Sequence, residues 1–120
     1  MANLTASDID TLLNLNGSPA TTVIETWIDQ AINLLNLHGR LDMSNMSGTA
    51  GSKSVSLESA EQAAVVEICR IIYYDYYKGL DAAALQGMTI SAPALMSNPT
   101  IKDAIVEMAR QLAELDVSRG

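Results

Sequence analysis

Residues 60–79, AEQAAVVEICRIIYYDYYKG, read as one helix that is apolar almost all the way round and ends in a cluster of tyrosines. A surface helix hides one stripe and wets the other, and this stretch has too few polar positions for that. Val65, Ile68, Cys69, Ile72 and Tyr76 fall on one stripe, whereas Ile71 and Tyr74 point well away from it. In a chain of 120 residues, a helix covered on two sides must sit at the middle of the fold or face another subunit. The pattern points to assembly before chemistry.

A chain of this length is expected to form one domain, residues 1–120. Hydrophobic residues make up 48% and charged residues 18%, so the chain can fill a core and is not disordered overall. There is one Trp and no Phe, and all four Tyr fall at 73–77, which makes them a local feature rather than general core filler. The six methionines are adaptable filler of the kind found at interfaces. Formal net charge is −7, from 14 acidic and 7 basic residues. Gripping nucleic acid through its phosphates needs the opposite sign, so tight DNA or RNA binding is not expected, while charge of this size keeps a protein soluble.

The single cysteine, Cys69, excludes an intrachain disulfide and reads as a small buried hydrophobe. Residues 1–10 have no basic region and no long apolar run, so no signal peptide is expected. No apolar run approaches the roughly 18 residues that span a bilayer. The expectation is a protein of the cell interior or of a particle assembled there.

Along the chain, residues 5–15 suggest a short helix capped by Thr5 or Ser7, with Ile9, Leu12 and Leu13 as its apolar side. Asn16-Gly17-Ser18-Pro19 is a turn. A second helix is expected over 22–37, where Thr22 and Glu25 have capping-box spacing and Ile24, Trp27, Ile28, Ala31, Leu34 and Leu35 recur at the helical period. His38-Gly39 ends it, with the His favoured by the helix dipole. Residues 42–56, DMSNMSGTAGSKSVS, form a Ser/Gly-rich loop expected to be flexible; such loops are usually functional or disordered. Lys53 to Leu57 alternates weakly and admits a short strand, one route to which is contact with a neighbouring chain. The central helix, capped near Ser56 or Ser59, closes at Lys78-Gly79. One more helical turn over 80–85 and a strand over 87–92 are expected next. A last helix starts at Asn98 as N-cap with Pro99 in the first position, and Ile101, Ala104, Ile105, Met108, Leu112 and Leu115 form its stripe. Residues 117–120 are expected to be loose. The fold class is mainly α: a small bundle of about four helices with a long Gly/Ser-rich loop and a short β element.

Chemistry has little to rest on. One His and one Cys in separate segments give no metal-ligand spacing, and Cys69 has only Arg70 beside it as an activator. Gly48 and Gly51 lack the lysine and preceding strand of a phosphate loop. Glu67 and Arg70 read as an ion pair along one helix face. No enzyme activity, cofactor or metal is expected. The tyrosines Tyr73, Tyr74, Tyr76 and Tyr77 admit two readings: core packing with the hydroxyls reaching water, or a protein–protein surface.

The order of elements brings a family into view. A short helix, IETWIDQAINLLNLHGR, a Gly/Ser loop, VVEICRIIYYDYYKG, the extended GMTISA and a closing helix together resemble the head–tail connector, or adaptor, proteins of tailed phages and related archaeal viruses. The resemblance covers nearly the whole chain and lies in pattern and element order. The family often has Arg or Glu after the aromatic end of the central helix, where this chain has Lys78-Gly79. The resemblance implies a subunit of a homo-oligomeric ring, usually a dodecamer. Such a ring sits in the virion neck between the portal protein and the tail or head-completion proteins, and is assembled in the host cytoplasm. DNA would pass through without being tightly bound, and no membrane is involved. It also implies that the loop, with Met43, Met46, Lys53 and Val55, reaches a neighbouring subunit. The C-terminal segment, with Leu115, Val117 and Arg119, would dock to the portal. Tyr73, Tyr74 and Tyr77 complete the candidate interface. The alternative from another class is a small helical protein-binding or regulatory module, dimeric.

Overall fold

A computed structural model describes residues 2–15, 20–77 and 95–119. The turn at 16–19, the Lys78-Gly79 helix end, the extra turn at 80–85 and the strand at 87–92 lie outside the described residues. Among those described are four α-helices and one two-stranded antiparallel sheet, the mainly α bundle with a short β element that the periodicities imply.

Strand β1 (Ala2–Thr5) leads directly into helix α1 (Ala6–Leu13). Thr5 ends the one and caps the other. Its hydroxyl accepts the Asp8 N–H, and its own N–H donates to the Asp8 carboxylate at 2.9 Å, a reciprocal box that satisfies two otherwise orphaned donors. Helix α2 (Thr21–Gly39) is the longest buried element, with Ile24, Trp27, Ile28, Ala31 and Leu35 in the core. Strand β2 (Ser54–Leu57) pairs with β1 in the register Leu4 opposite Val55, so both point into the core while Asn3 and Ser56 face out. The strand seen in the sequence at 53–57 is therefore partnered by the chain's own N-terminal residues, not by a neighbour.

Helix α3 (Ser59–Ile72) starts at Glu58, which forms a capping box with Glu61. It then widens into a π-helical turn over Tyr73–Tyr77. Helix α4 (Pro99–Arg119) starts as its sequence signals, with the Asn98 carbonyl oxygen accepting N–H groups from Thr100 and Ile101 at 2.9 and 3.3 Å. Its backbone stays helical to Arg119, where a loose tail was expected. The Asn98 amide also donates to Asp75 at 3.2 Å, so α3 and α4 are joined at one end and run antiparallel.

The apolar-all-round helix takes its place at the middle of the fold. α3 packs on α1, α2 and α4 at once, and Val65, Ile68, Cys69, Ile71 and Ile72 are all buried within one subunit. The stripe from Val65 to Ile72 and Ile71 on the other side are thus covered without a second chain, while Tyr74 is left 45% exposed.

Three local expectations are corrected. Glu25 does not cap α2: the N-cap is Ala20, which makes no side-chain cap bond, and the Glu25 carboxylate is turned inward. Gly39 is not the left-handed terminator, because that conformation falls on Arg40 at φ 53°. Gly39 is needed for closeness instead: a Cβ there would lie 2.9 Å from the Ala109 carbonyl oxygen of α4. Leu12, assigned to the buried side of α1, is 61% exposed.

Candidate interaction surfaces

The Ser/Gly-rich loop is tied down along its length, and the tie is a polar stripe on α2. Glu25, Asp29, Asn33 and Asn36 follow one another at helical spacing along one side of the helix. The Asn36 amide exchanges two hydrogen bonds with the Met43 main chain, each 2.9 Å. Asp29 accepts the Met46 N–H at 2.8 Å, and Asn45 donates to both Asn33 and Asp29. Glu25, only 3% exposed, accepts the N–H groups of Gly51 and Lys53, both at 2.9 Å.

The spacing has a geometric reason. Asn36 to Asp29 is seven residues of helix, about 10 Å at 1.5 Å per residue. Met43 to Met46 is three steps of extended chain, also about 10 Å. The loop therefore runs back along α2 in matching register. Between Ser47 and Ser54 it makes a hairpin closed by two bonds of 2.9 and 3.0 Å. Gly48 at φ 117° and Gly51 at φ 92° supply backbone angles that other residues rarely adopt.

This arrangement relocates several candidate interface residues. Met43 and Met46 are buried in the core cluster. Val55 is buried opposite Leu4. Lys53 is half-buried, with its N–H on Glu25. Met43, Met46 and Val55 are therefore not presented on the subunit surface as the resemblance implied, because the stripe on α2 satisfies the loop's main chain and these side chains fill the core beneath it. Sequence reasoning missed Glu25, Asp29, Asn33 and Asn36. The signal was present as four polar residues at i, i+4, i+8 and i+11 on one side of a helix, followed by a loop with few apolar residues of its own.

The tyrosine end divides between its two readings. The Tyr73 ring lies 6.3 Å from that of Trp27 and belongs to the core margin. Tyr74 packs edge-on against Tyr73 at 5.2 Å and is 45% exposed. The side chains of Tyr77, Val117 and Arg119 lie outside the described residues.

Leu115 is 41% exposed on the lip of an apolar groove between the start of α3 and the end of α4. The groove has a volume of about 270 Å³, with Ala60, Ala63 and Ala64 on one side and Met108, Leu112 and Leu115 on the other. A second hollow, lined by Leu12, Ala63 and Val66, continues it across α3 to α1. Ala63 belongs to both, so the two form one shallow face.

The charged groups are placed for surface pairing. Arg70 is held bidentately by Glu67, and this bond draws the Glu67 carboxyl below its ordinary pKa. Arg110 bridges Glu107 and Glu114 on α4. Cys69 is enclosed, and burial pushes its thiol far above its usual range. His38 is exposed in the last turn of α2. Among the described residues, no group of three or more His, Cys, Asp or Glu could hold a metal ion, and no helix is long and apolar enough to cross a membrane.

Comparison of the chain with protein-family models, curated proteins and solved structures finds no match.

Proposed function

We propose that the chain is a structural virion protein of the head–tail connector, or adaptor, type. In this reading it is a ring subunit in the neck, joining portal to tail and continuing the DNA channel, with no reaction of its own. The observation that carries the reading is apolar surface left open on a subunit whose core is already complete. Leu12 and Leu115 lie along one face, with Tyr74 at the far end of α3. A net charge of −7 supports a channel wall past which DNA slides without adhering. The test is sedimentation of the isolated protein together with imaging of particles. A closed ring at the portal–tail junction is the expected result, and a monomer or dimer that no particle incorporates would refute it. A Tyr74→Ala, Tyr77→Ala double change is expected to leave the subunit helical by circular dichroism while reducing ring formation or portal attachment.

One observation favours a second reading. Val65, Ile68, Cys69, Ile71 and Ile72 of α3 are buried within their own subunit, so these residues do not demand a ring. A dimeric helical protein-binding module fits that feature equally well. It predicts one small oligomer at every concentration and salt.

A further inference from the structure

The N-terminal arm, β1 with α1, is attached differently from the rest of the molecule. Helices α2, α3 and α4 each pack on both of the others. The arm reaches that body through Leu4, Ala6 and Ile9, all buried, and through the antiparallel pairing of β1 with β2. Its inner order is its own, because the Thr5–Asp8 box joins strand to helix within the arm. Its parts, a strand of four residues and a helix of eight, are too short to be stable alone. A terminal unit of this kind opens at low cost while the body stays folded.

The slot that the arm fills is built without it. β2 is held on its other edge, where Ser47 and Ser54 exchange main-chain bonds of 2.9 and 3.0 Å. Its ends are fixed as well, by the Lys53 N–H on Glu25 and by the Glu58–Glu61 box that starts α3. Without β1, this strand would present a preformed edge beside Val55 and Leu57, two core residues that need an apolar cover. Leu4 supplies it, and a slip of one residue would turn Asn3 inward instead, so the register is specified. The occupant of the slot is therefore defined by residues 2–9 of this sequence, whichever copy of the chain provides them.

We propose that copies of this chain are linked by exchange of the arm: residues 2–13 of one copy dock on β2 of the next and make there the contacts they make within one subunit. Exchange of an identical element needs no new complementary surface. Passed from each copy to the next it closes a ring, and returned between two copies it makes a dimer. The proposal rests on the self-assembly common to both readings above and supplies its linkage. Residues 14–20 join α1 to α2 and, extended, reach at most about 25 Å, which limits the exchange to copies in contact. Leu15 in that connection is buried and leaves with the arm. Mass action sets when the exchange occurs. A short linker gives the arm an effective concentration on the order of 1 mM toward its own slot, so it stays there in dilute solution and is passed on where copies are crowded together.

Asn3 and Ser56 are exposed partners in the register, with side-chain oxygens 3.0 Å apart, so Asn3→Cys and Ser56→Cys place two thiols within disulfide reach. Cys69 is buried and does not compete in the folded protein. In the first experiment the two substitutions are carried on separate, differently tagged chains. These are unfolded together in urea, refolded at about 1 mM, oxidised and resolved on a non-reducing denaturing gel after free thiols are alkylated. Mixed dimers are expected to exceed either like dimer by at least about tenfold, against the roughly twofold of random collision. In the second, both substitutions share one chain that is oxidised in dilute solution, which locks the arm in its own subunit. The locked protein is expected to keep its circular dichroism spectrum, to self-assemble at least about tenfold more weakly by sedimentation, and to recover on reduction. A random mixture of dimers, or a locked protein that assembles as well as the reduced one, would overturn the proposal. Rings that form with the arm locked would remove it and leave the connector reading. Mixed dimers from a protein that no particle incorporates would do the reverse.

Discussion

Two long surfaces of this small bundle have met opposite fates. The outer side of α2 carries a polar stripe, and the chain's own loop lies against it, bonded at Asn36, Asp29 and Glu25. The α3–α4 face is apolar at its floor and open, with Leu115 on its lip. The polar surface is covered and the apolar one is not. Coverage here follows hydrogen-bonding demand. A loop of Ser and Gly has little apolar area to bury, so it is held by its main-chain donors, each of which is costly to leave unpaired once shielded from water. The groove has no such donors to satisfy and remains available to an outside chain.

The largest effect should come from the groove's floor. Leu112 is buried between α3 and α4, and Leu112→Ala should cost roughly 2–5 kcal/mol in chemical denaturation. Leu115→Ala, one turn on and half in solvent, should cost no more than about 0.5 kcal/mol. Equal losses at the two positions would mean that the groove is part of the core rather than an open surface.

On the covered side, Glu25→Ala leaves the Gly51 and Lys53 N–H groups without their acceptor. The expected cost is about 2–4 kcal/mol, near the sum of two unsatisfied donors. The accompanying sign is local: faster amide exchange at both positions and faster tryptic cleavage after Lys53, which should be slow in the unaltered subunit. A loss of stability with unchanged exchange at Gly51 would place the role of Glu25 elsewhere. Asn36→Ala removes the pair of bonds to Met43 and should cost less, about 1–2 kcal/mol, because that end of the loop is also held by the buried Met43 side chain.

The contrast also explains which parts were legible beforehand. Helix α4 was readable because Asn98, Pro99 and the stripe from Ile101 to Leu112 are local signals that agree with one another. The core of α2 was readable for the same reason. Glu25 was misassigned because a carboxylate three residues after a threonine fits a capping box, and only the path of a loop 26 residues further on shows what it bonds. Strand β1 was missed because Ala2 to Thr5 has no strand signal apart from the distant partner, Ser54 to Leu57, that it meets in the fold. The tyrosines were grouped as one cluster, yet one ring lies against Trp27 and its neighbour lies outside, because consecutive residues of a helix point about 100° apart.

The smallest effect lies on the rim of the open face, at Glu67, which lines the hollow beside Leu12. Its bond to Arg70 holds the carboxyl below the ordinary value of 4.5. A group whose folded pKa is lowered adds stability above its unfolded value and loses it as pH falls through the folded one. The pair is well exposed and screened, so its contribution should be only a few tenths of a kcal/mol. Wild type and Glu67→Gln should therefore differ by that amount at neutral pH and converge once pH has fallen below the lowered carboxyl pKa, with the difference also shrinking in high salt. A larger gap that survives both acid and salt would show that Glu67 supports the face by packing against Leu12 and Val66. Its role at this border would then be packing rather than the ion pair with Arg70.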